Sequence, residues 1–451
     1  MPDDGQLRVK GERPRAVVVA VQLPAVDDAE QEASIVELER LAKTLGLEPI
    51  GRIVQRRSSL APGVVLGEGK LKELAEWTGG TGVVPAYVRP GKKRNEPEPA
   101  PEPVPDRKAT LVLVDHDLTP TQHSNLERAT GVDVLDRSSV ILEIFHRHAR
   151  TREAKLQVEL ARLRYLAPRL RAKSGGGDRV RGGIGGKGAG ESALELDRRR
   201  IRDRVAELQR ELAHIRTDTH TRRERRRELP TVALVGYTNA GKSSLMRALT
   251  STDVYIADEL FATLDTTVRR LVPPTDPAIL VTDTVGFIKK LPHDLVASFR
   301  STLDEAGDAD LLLHVVDAAD PAHADQLAVT RAVLAELDIT SPIWLLLNKI
   351  DRVDEAGRAA LAESYPTAIQ LSAKAPADVA ALRDRLVEHF AGALEQAELA
   401  VPWSRARVLH AIHERATVLA EDHDDAGTRV LIRAPSRVVA ELRAQLTEDA
   451  P

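Results

Sequence analysis

The sequence predicts an α/β fold in four parts: an N-terminal α/β subdomain (1–136), an antiparallel helical hairpin (137–228), a P-loop α/β domain (229–395) and a small C-terminal α/β domain (396–451). Three observations predict it. Short, β-branched apolar runs alternate with amphipathic helical stretches on both sides of the chain's middle, the pattern of parallel sheets. Two stretches with heptad spacing flank a glycine-rich loop. One apolar run leads straight into "GYTNAGKSS", a glycine-lysine loop between strand and helix.

The first strand is "AVVVAVQL". Lys10, Arg13 and Arg15 before it give it the look of a short signal-peptide core. Its β-branched residues, its brevity and Gln22 favour a buried strand instead. "LVLVD" and "VDVL" are further strands, and "EASIVELERLAKTLG" is an amphipathic helix between strands. Residues 89–108, rich in proline and charge, read as a disordered insert.

In the hairpin, apolar residues fall at Leu156, Leu160, Leu163, Ala167 and Leu170, then at Leu194, Ile201, Val205, Leu208, Leu212 and Ile215. Such stripes bury a common seam and leave the arginines outside. Pro168 is expected to kink or end the first helix. Between the helices lies "RVRGGIGGKGAGES", which contains a G-x-G-x-x-G. A dinucleotide fingerprint needs a strand before its first glycine, but a helix precedes this one. It reads as a flexible tip that carries Arg179, Arg181 and Lys187, the candidate RNA contacts if the partner is a nucleic acid, close to another surface.

Charge supports that reading. The formal net charge is −4, yet residues 147–227 hold 24 Lys/Arg against 11 Asp/Glu. A basic block in an otherwise acidic chain suits a polyanionic partner met at one place, the alternative being a solvated helical surface. With no cysteine, disulfides and cysteine-ligated metals are excluded, and a reducing compartment fits. No run approaches the roughly 18 apolar residues of a membrane span. A monomeric cytoplasmic protein is expected.

From residue 229 the strands are "TVALVG", "AILVTD", "DLLLHVVD", "PIWLLLNK" and "AIQLSA". In the loop Gly236, Tyr237, Thr238, Asn239, Ala240, Gly241, Lys242, Ser243 and Ser244, the glycines let backbone N–H groups face phosphates at a helix N-terminus. Lys242 would reach the β- and γ-phosphates, and the Ser243 hydroxyl would ligate Mg²⁺. "DTVG" (Asp283, Thr284, Val285, Gly286) closes a strand. Its aspartate can hold Mg²⁺ through water, and the Gly286 amide can face the γ-phosphate.

"NKID" (Asn348, Lys349, Ile350, Asp351) and "SAK" (Ser372, Ala373, Lys374) end the next strands. A carboxylate at Asp351 accepts from guanine N1–H and its exocyclic amine; adenine would leave it unpaired. GTP and GDP are therefore the expected ligands. "DELFATLDTTVRR" stands where a first switch belongs, and Phe261, Ala262, Thr263, Leu264 and Asp265 are expected near the nucleotide. Thr263 is the candidate second Mg²⁺ ligand, with Asp265, Thr266 and Thr267 as rivals. Lys242, Thr263 and Gly286 are the catalytic candidates.

After DTVG comes Phe287, where Ras-like enzymes place the glutamine that orients water. Intrinsic hydrolysis should then be slow. Asn239 is a candidate ligand for a K⁺ ion, and a loop-stabilising amide is the equal alternative. A bound partner is the other way to complete the site.

With "DLTPTQHSNLE", "VDVLDRSSVILEIFHRHARTREAKLQVELARLRYLAPRL", "GGIGGKGAGE", "LDRRRI", "GYTNAGKSSL", "LFATLD" and "DTVGFIKKLPHDLVASFRSTLDEA", the chain resembles the HflX family of translational GTPases. The resemblance implies binding to the large ribosomal subunit, the hairpin tip reaching rRNA near the peptidyl-transferase region. It implies ribosome-stimulated GTP hydrolysis and the splitting or rescue of stalled ribosomes under stress. Three features depart from the family: the tip lacks its proline, "LDTTVRR" lacks the proline common after the aspartate, and the insert at 89–108 is foreign to it. Family members are also linked to ATP through the N-terminal region, but no local motif here supports a specific ATP site. The rival functions are a GTPase of ribosome assembly or RNA remodelling, and a nucleotide-gated RNA-binding module.

Overall fold

A computed structural model describes residues 13–84, 108–173, 193–226, 229–251, 260–261, 267–275, 277–289, 306–337, 339–392 and 394–447. The insert, except residue 108, and the glycine-rich tip with Arg179, Arg181 and Lys187 lie outside the described residues. Two compact units result. The first takes in Met1–His214, Ala257–Leu264 and Lys289–Arg300; the second takes in Ile215–Ile256, Asp265–Ile288 and Ser301–Pro451.

In the first unit, β1 (Arg15–Gln22), β2 (Glu48–Arg56), β3 (Leu111–Val114) and β4 (Asp133–Asp136) form a parallel sheet in the order β2-β1-β3-β4. All of β1 after Arg15 is buried, as an inner parallel strand must be, so the apolar run at the N-terminus is a strand. β2 escaped sequence reading because Pro49 and Gly51 interrupt it. It is an edge strand, where proline is tolerated. A Cβ at Gly51 would stand 2.7 Å from the ring of Trp77, so the glycine makes room for that ring.

The unit's helices are α1 (Asp28–Thr44), α2 (Glu68–Thr78), α3 (Pro120–Thr130), α4 (Arg137–His148) and α5 (Arg152–Lys173). Local signals set their starts. Asp27 caps α1, Thr119 and Gln122 form a capping box on α3, and the Asp136 carboxylate accepts the Ser139 amide at the head of α4. α2, α3 and one face of the sheet bury a core around Val17, Val19, Leu74, Val112 and Leu126.

α5 continues through Pro168 instead of ending there. Proline forfeits one helix hydrogen bond, but the turn is fixed from outside. The Tyr165 hydroxyl donates to Asp136 at 2.6 Å and Arg169 to the same carboxylate at 2.9 Å, with the guanidinium over the Tyr165 ring. Across from α5 runs α6 (Ala193–Arg226), whose Leu208 and Leu212 are buried with Leu156 and Leu160 of α5. A two-pronged Arg204–Glu159 pair and an Arg152–Glu211 pair flank the seam. α5 packs on α3 and α4 as well, so the seam is only part of what it buries.

In the second unit, β5 (Thr231–Gly236), β6 (Thr267–Arg270), β7 (Leu280–Asp283), β8 (Leu311–Asp317), β9 (Ile343–Asn348) and β10 (Ile369–Gln370) form a sheet ordered β10-β9-β8-β5-β7-β6. All pairs are parallel except β6 with β7. β6 is four residues long and polar, too little for a periodic signal. α7 (Lys242–Thr250), α8 (His323–Glu336), α9 (Glu355–Ser364) and α10 (Pro376–Gly392) accompany the sheet.

The end of the chain, expected as a small α/β domain, holds three strands and two helices among the described residues. β11 (Leu394–Pro402), β12 (Thr417–Asp424) and β13 (Gly427–Pro435) form an antiparallel sheet ordered β11-β13-β12. α11 (Ala406–Arg415) and α12 (Ser436–Thr447) share its core of Leu399, Ile412, Val430, Ile432 and Leu442. The other face is polar, which hid two of the strands. No described helix is long and apolar enough to cross a membrane.

Candidate functional site: a phosphate loop at the carboxyl ends of a parallel sheet

β5 ends at Gly236 and α7 begins at Lys242, so the loop between them presents a helix N-terminus at the carboxyl end of an inner strand. Two glycines are required there. Gly236 has φ +148° and a Cβ on it would meet the Val315 carbonyl at 2.2 Å; Gly241 has φ +97° and a Cβ would meet Asn348 Nδ2 at 2.2 Å. Asn239, at the exposed tip, adopts φ +60°, which asparagine accepts more readily than most residues.

Lys242 is 6% exposed, and its ammonium donates to the carbonyls of Gly236 (3.0 Å) and Tyr237 (2.9 Å). Burial pulls its pKa down to about 8, partly opposed by the Asp283 carboxylate. Under the loop, His314 on β8 is 1% exposed and is held neutral, pushed down to about 3 by burial and then by Arg331 and Lys242. No motif announces this histidine; it hides in an apolar strand.

The DTVG segment meets the loop directly. The Ser243 hydroxyl donates to Asp283 Oδ2 at 2.9 Å, and Asp283 is fully buried at the end of β7. Thr284 donates to the Leu234 carbonyl at 2.7 Å. Phe287 pairs with Tyr237: the Thr238 amide donates to the Phe287 carbonyl at 2.7 Å and the Phe287 amide to the Gly236 carbonyl at 3.1 Å. The Phe287 ring is buried. A Cβ on Gly286 would lie 2.7 Å from Thr238 Cα and 3.0 Å from Lys242 Nζ, so only glycine lets this strand cross the loop so closely.

The Ser243 hydroxyl and the Asp283 carboxylate are hard oxygen donors side by side, a set that suits Mg²⁺.

On the other side, Asn348 donates to the Ala240 carbonyl at 2.8 Å and accepts the Ala373 amide at 3.0 Å. Lys349 donates to the Asn239 carbonyl at 2.8 Å and to Asp317 at 2.7 Å. The exposed Asp351 carboxylate accepts the Ser372 hydroxyl at 2.6 Å, which holds its pKa below the ordinary carboxylate value. Ser372 is itself fixed by its amide donating to Asp378 at 2.7 Å. The structure thus brings together the loop, DTVG, NKID and SAK. Sequence reasoning missed Asp317 and Asp378, which end a strand and begin a helix and hold the motif residues in place; nothing in their spacing marks them.

Of the first-switch candidates, Phe261 is described and buried in the first unit, with φ +60°. Ala262, Thr263, Leu264 and Asp265 lie outside the described residues.

Comparison with known proteins finds three family matches along the chain. Residues 32–95 and 87–146 match the family described as GTP-binding GTPase N-terminal, 148–226 the GTP-binding GTPase middle region, and 231–349 the 50S ribosome-binding GTPase family. The chain is 55% identical over 444 residues to the GTPase HflX of Gluconacetobacter diazotrophicus, covering 96% of this chain and 98% of that protein. It is 38% identical over 427 residues to the GTPase HflX of Escherichia coli, covering 93% of each. A solved GTP-binding protein from Sulfolobus solfataricus in complex with GDP is 23% identical, covers 83% of this chain and 98% of its own, and superposes with a TM-score of 0.43.

Proposed function

Because this chain belongs to the HflX family of GTPases and hydrolyses GTP, we propose that it does so on the large ribosomal subunit, coupling nucleotide turnover to the splitting or rescue of stalled ribosomes. One observation carries the nucleotide chemistry: Asn348 and Lys349 bind the carbonyls of the phosphate loop, so guanine reader and phosphate cradle form one rigid piece. A base gripped by Asp351 fixes where the phosphates fall.

Lys242 neutralises charge on the β- and γ-phosphates, and the Gly286 amide meets the γ-phosphate. Ser243 and Asp283, with Thr263, would hold Mg²⁺, which draws charge from the phosphate oxygens when bound. Phe287 offers no group to orient water. Turnover is therefore slow until the ribosome, or K⁺ at Asn239, completes the site. The match of residues 231–349 to a 50S ribosome-binding family supports the ribosomal partner, as does the basic block at 147–227. Arg179, Arg181 and Lys187 then meet rRNA phosphates. The compartment is the cytoplasm.

The test is GTP turnover in K⁺ buffer with and without purified large subunits, with Lys242→Ala as the blank. Strong stimulation with co-sedimentation supports the reading. Unchanged turnover with no co-sedimentation rejects the ribosomal part and leaves a GTPase.

A further inference from the structure

A carboxylate meets both guanine donors at once only when it is aimed. Asp351 stands exposed on the short turn 350–352, and its backbone position alone leaves the side chain free to rotate. The Ser372 hydroxyl, donating to Oδ1 at 2.6 Å, is what aims it. The orientation of Asp351 is therefore only as firm as that of Ser372.

What holds Ser372 follows from the end of the sheet. The Leu371 amide donates to the Leu347 carbonyl of β9 at 3.0 Å. Along an extended chain successive amides point to opposite sides, so the amide of Ser372 turns away from β9. β10 is the edge strand, and no strand lies on that side. Ser372 is 2% exposed, and a buried amide needs an acceptor. It donates to Asp378 Oδ2 at 2.7 Å, on the first turn of α10.

The next three amides are also engaged. Ala373 donates to Asn348 Oδ1 at 3.0 Å, Lys374 to Ser372 Oγ at 3.3 Å and Ala375 to the Ser372 carbonyl at 2.9 Å. Those three bonds stay within NKID and the SAK turn itself. Of the four, only the bond from Ser372 reaches a group outside them. Its anchor is firm, because Leu382, Leu386 and Phe390 of α10 are buried with Leu234, Leu313 and Leu346 of the sheet. The bond is also charge-assisted, the stronger kind. Ser372 thus stands between two carboxylates, its amide on Asp378 and its hydroxyl on Asp351.

Resting on the reading of Asp351 as the guanine reader, we propose that Asp378 is a positioning residue that sets base specificity. Through Ser372 it aims Asp351, so that guanine N1–H and the exocyclic amine are met together. Hypoxanthine keeps the N1–H and lacks the amine, so a comparison of the two bases reports the second bond alone. A brace that only stabilises the fold would weaken both nucleotides alike when removed. A brace that aims the carboxylate weakens guanine more.

The experiment measures the affinities of the full chain for fluorescent GDP and fluorescent inosine diphosphate. Asp378→Ala removes the brace; Asp378 lines an open groove between α9 and α10, so the change leaves the core intact. Ala377→Asp/Asp378→Ala moves the carboxylate to the exposed neighbouring position and keeps the charge at the helix N-terminus. Asp378→Asn keeps an oxygen for the Ser372 amide. The expected result is a preference for GDP reduced at least fivefold in the first two variants and within twofold of the parent in Asp378→Asn. An undiminished preference in the first two overturns the proposal, as does an Asp378→Asn protein that falls as far as Asp378→Ala. Asp351→Asn separates the two readings. If it keeps the parent's preference, Asp351 does not read the base and the guanine assignment fails along with the proposal. If it loses the preference while Asp378→Ala keeps it, the proposal alone fails.

Discussion

Ser243 and Asp283 meet at 2.9 Å, hydroxyl to carboxylate, although 39 residues lie between them in sequence. The parallel pairing of β5 with β7 makes them neighbours. Both oxygens belong to the proposed Mg²⁺ site, and each is fixed before the ion arrives. Ser243→Ala removes one donor and one hydrogen bond, about 1 kcal/mol of stability. The expected outcome is a folded protein whose GTP affinity no longer responds to Mg²⁺, read by fluorescent-nucleotide titration in Mg²⁺ and in chelator.

Asp351→Asn removes the carboxylate that two guanine donors need and offers an amide N–H instead. Loss of two charge-assisted bonds, about 3 kcal/mol together, predicts GTP binding weakened roughly 100-fold. Xanthine carries a carbonyl where guanine has its amine, so xanthosine triphosphate should gain. Competition between the two nucleotides checks this.

The Ser372 hydroxyl keeps Asp351 ionised below the usual carboxylate pKa. Its folded pKa is depressed, so the ionised form is present above the unfolded value and is lost only as pH falls through the lower folded one. Guanine affinity should therefore stay flat from pH 7 to about pH 5. Ser372→Ala should move the acid limb of the binding curve upward.

Lys242 is shifted in the same direction, downward, but by burial that favours its neutral form. Its folded pKa of about 8 lies below the ordinary 10.5, so between those values the unfolded chain binds more protons. Stability without nucleotide should rise with pH across that window, by up to about 3 kcal/mol. Bound triphosphate returns charge to the site and reverses the trend. Thermal melting at pH 7.5 and 9.5, with Lys242→Met as the comparison, shows the slope or its absence.

Gly286→Ala tests the close crossing. Its Cβ would press on the Thr238 backbone, 2.7 Å from Cα. GDP should still bind, while GTP affinity and turnover fall at least tenfold. Equal loss of both nucleotides would count against Gly286 as a γ-phosphate contact.

The motifs of the site were legible because each is local. Glycines at 236 and 241, the lysine and serine after them, and the aspartates closing strands all carry their chemistry within a few residues. α1 was legible by its helical periodicity and the P-loop strand by its unbroken apolar run. β2, β6 and most of the C-terminal sheet were not. They are edge or one-sided strands with proline, glycine or charge, and the burial that would pattern them is incomplete.

Sequence by itself supplied the residues proposed for the site: the loop proposed to cradle phosphate, the carboxylate proposed to read guanine, and a Phe287 with no group to orient water. Local backbone geometry and side-chain chemistry suffice for those. Only the tertiary structure decided that Phe287 folds back on Thr238, that Asp317 and Asp378 brace the motifs, and that Arg137 grips the carbonyl of Lys289, 152 residues away. A backbone carbonyl or amide leaves no trace in the identity of the residue that supplies it, and the one pair made by side chains alone, Lys349 with Asp317, joins strand ends 32 residues apart with no spacing to mark it.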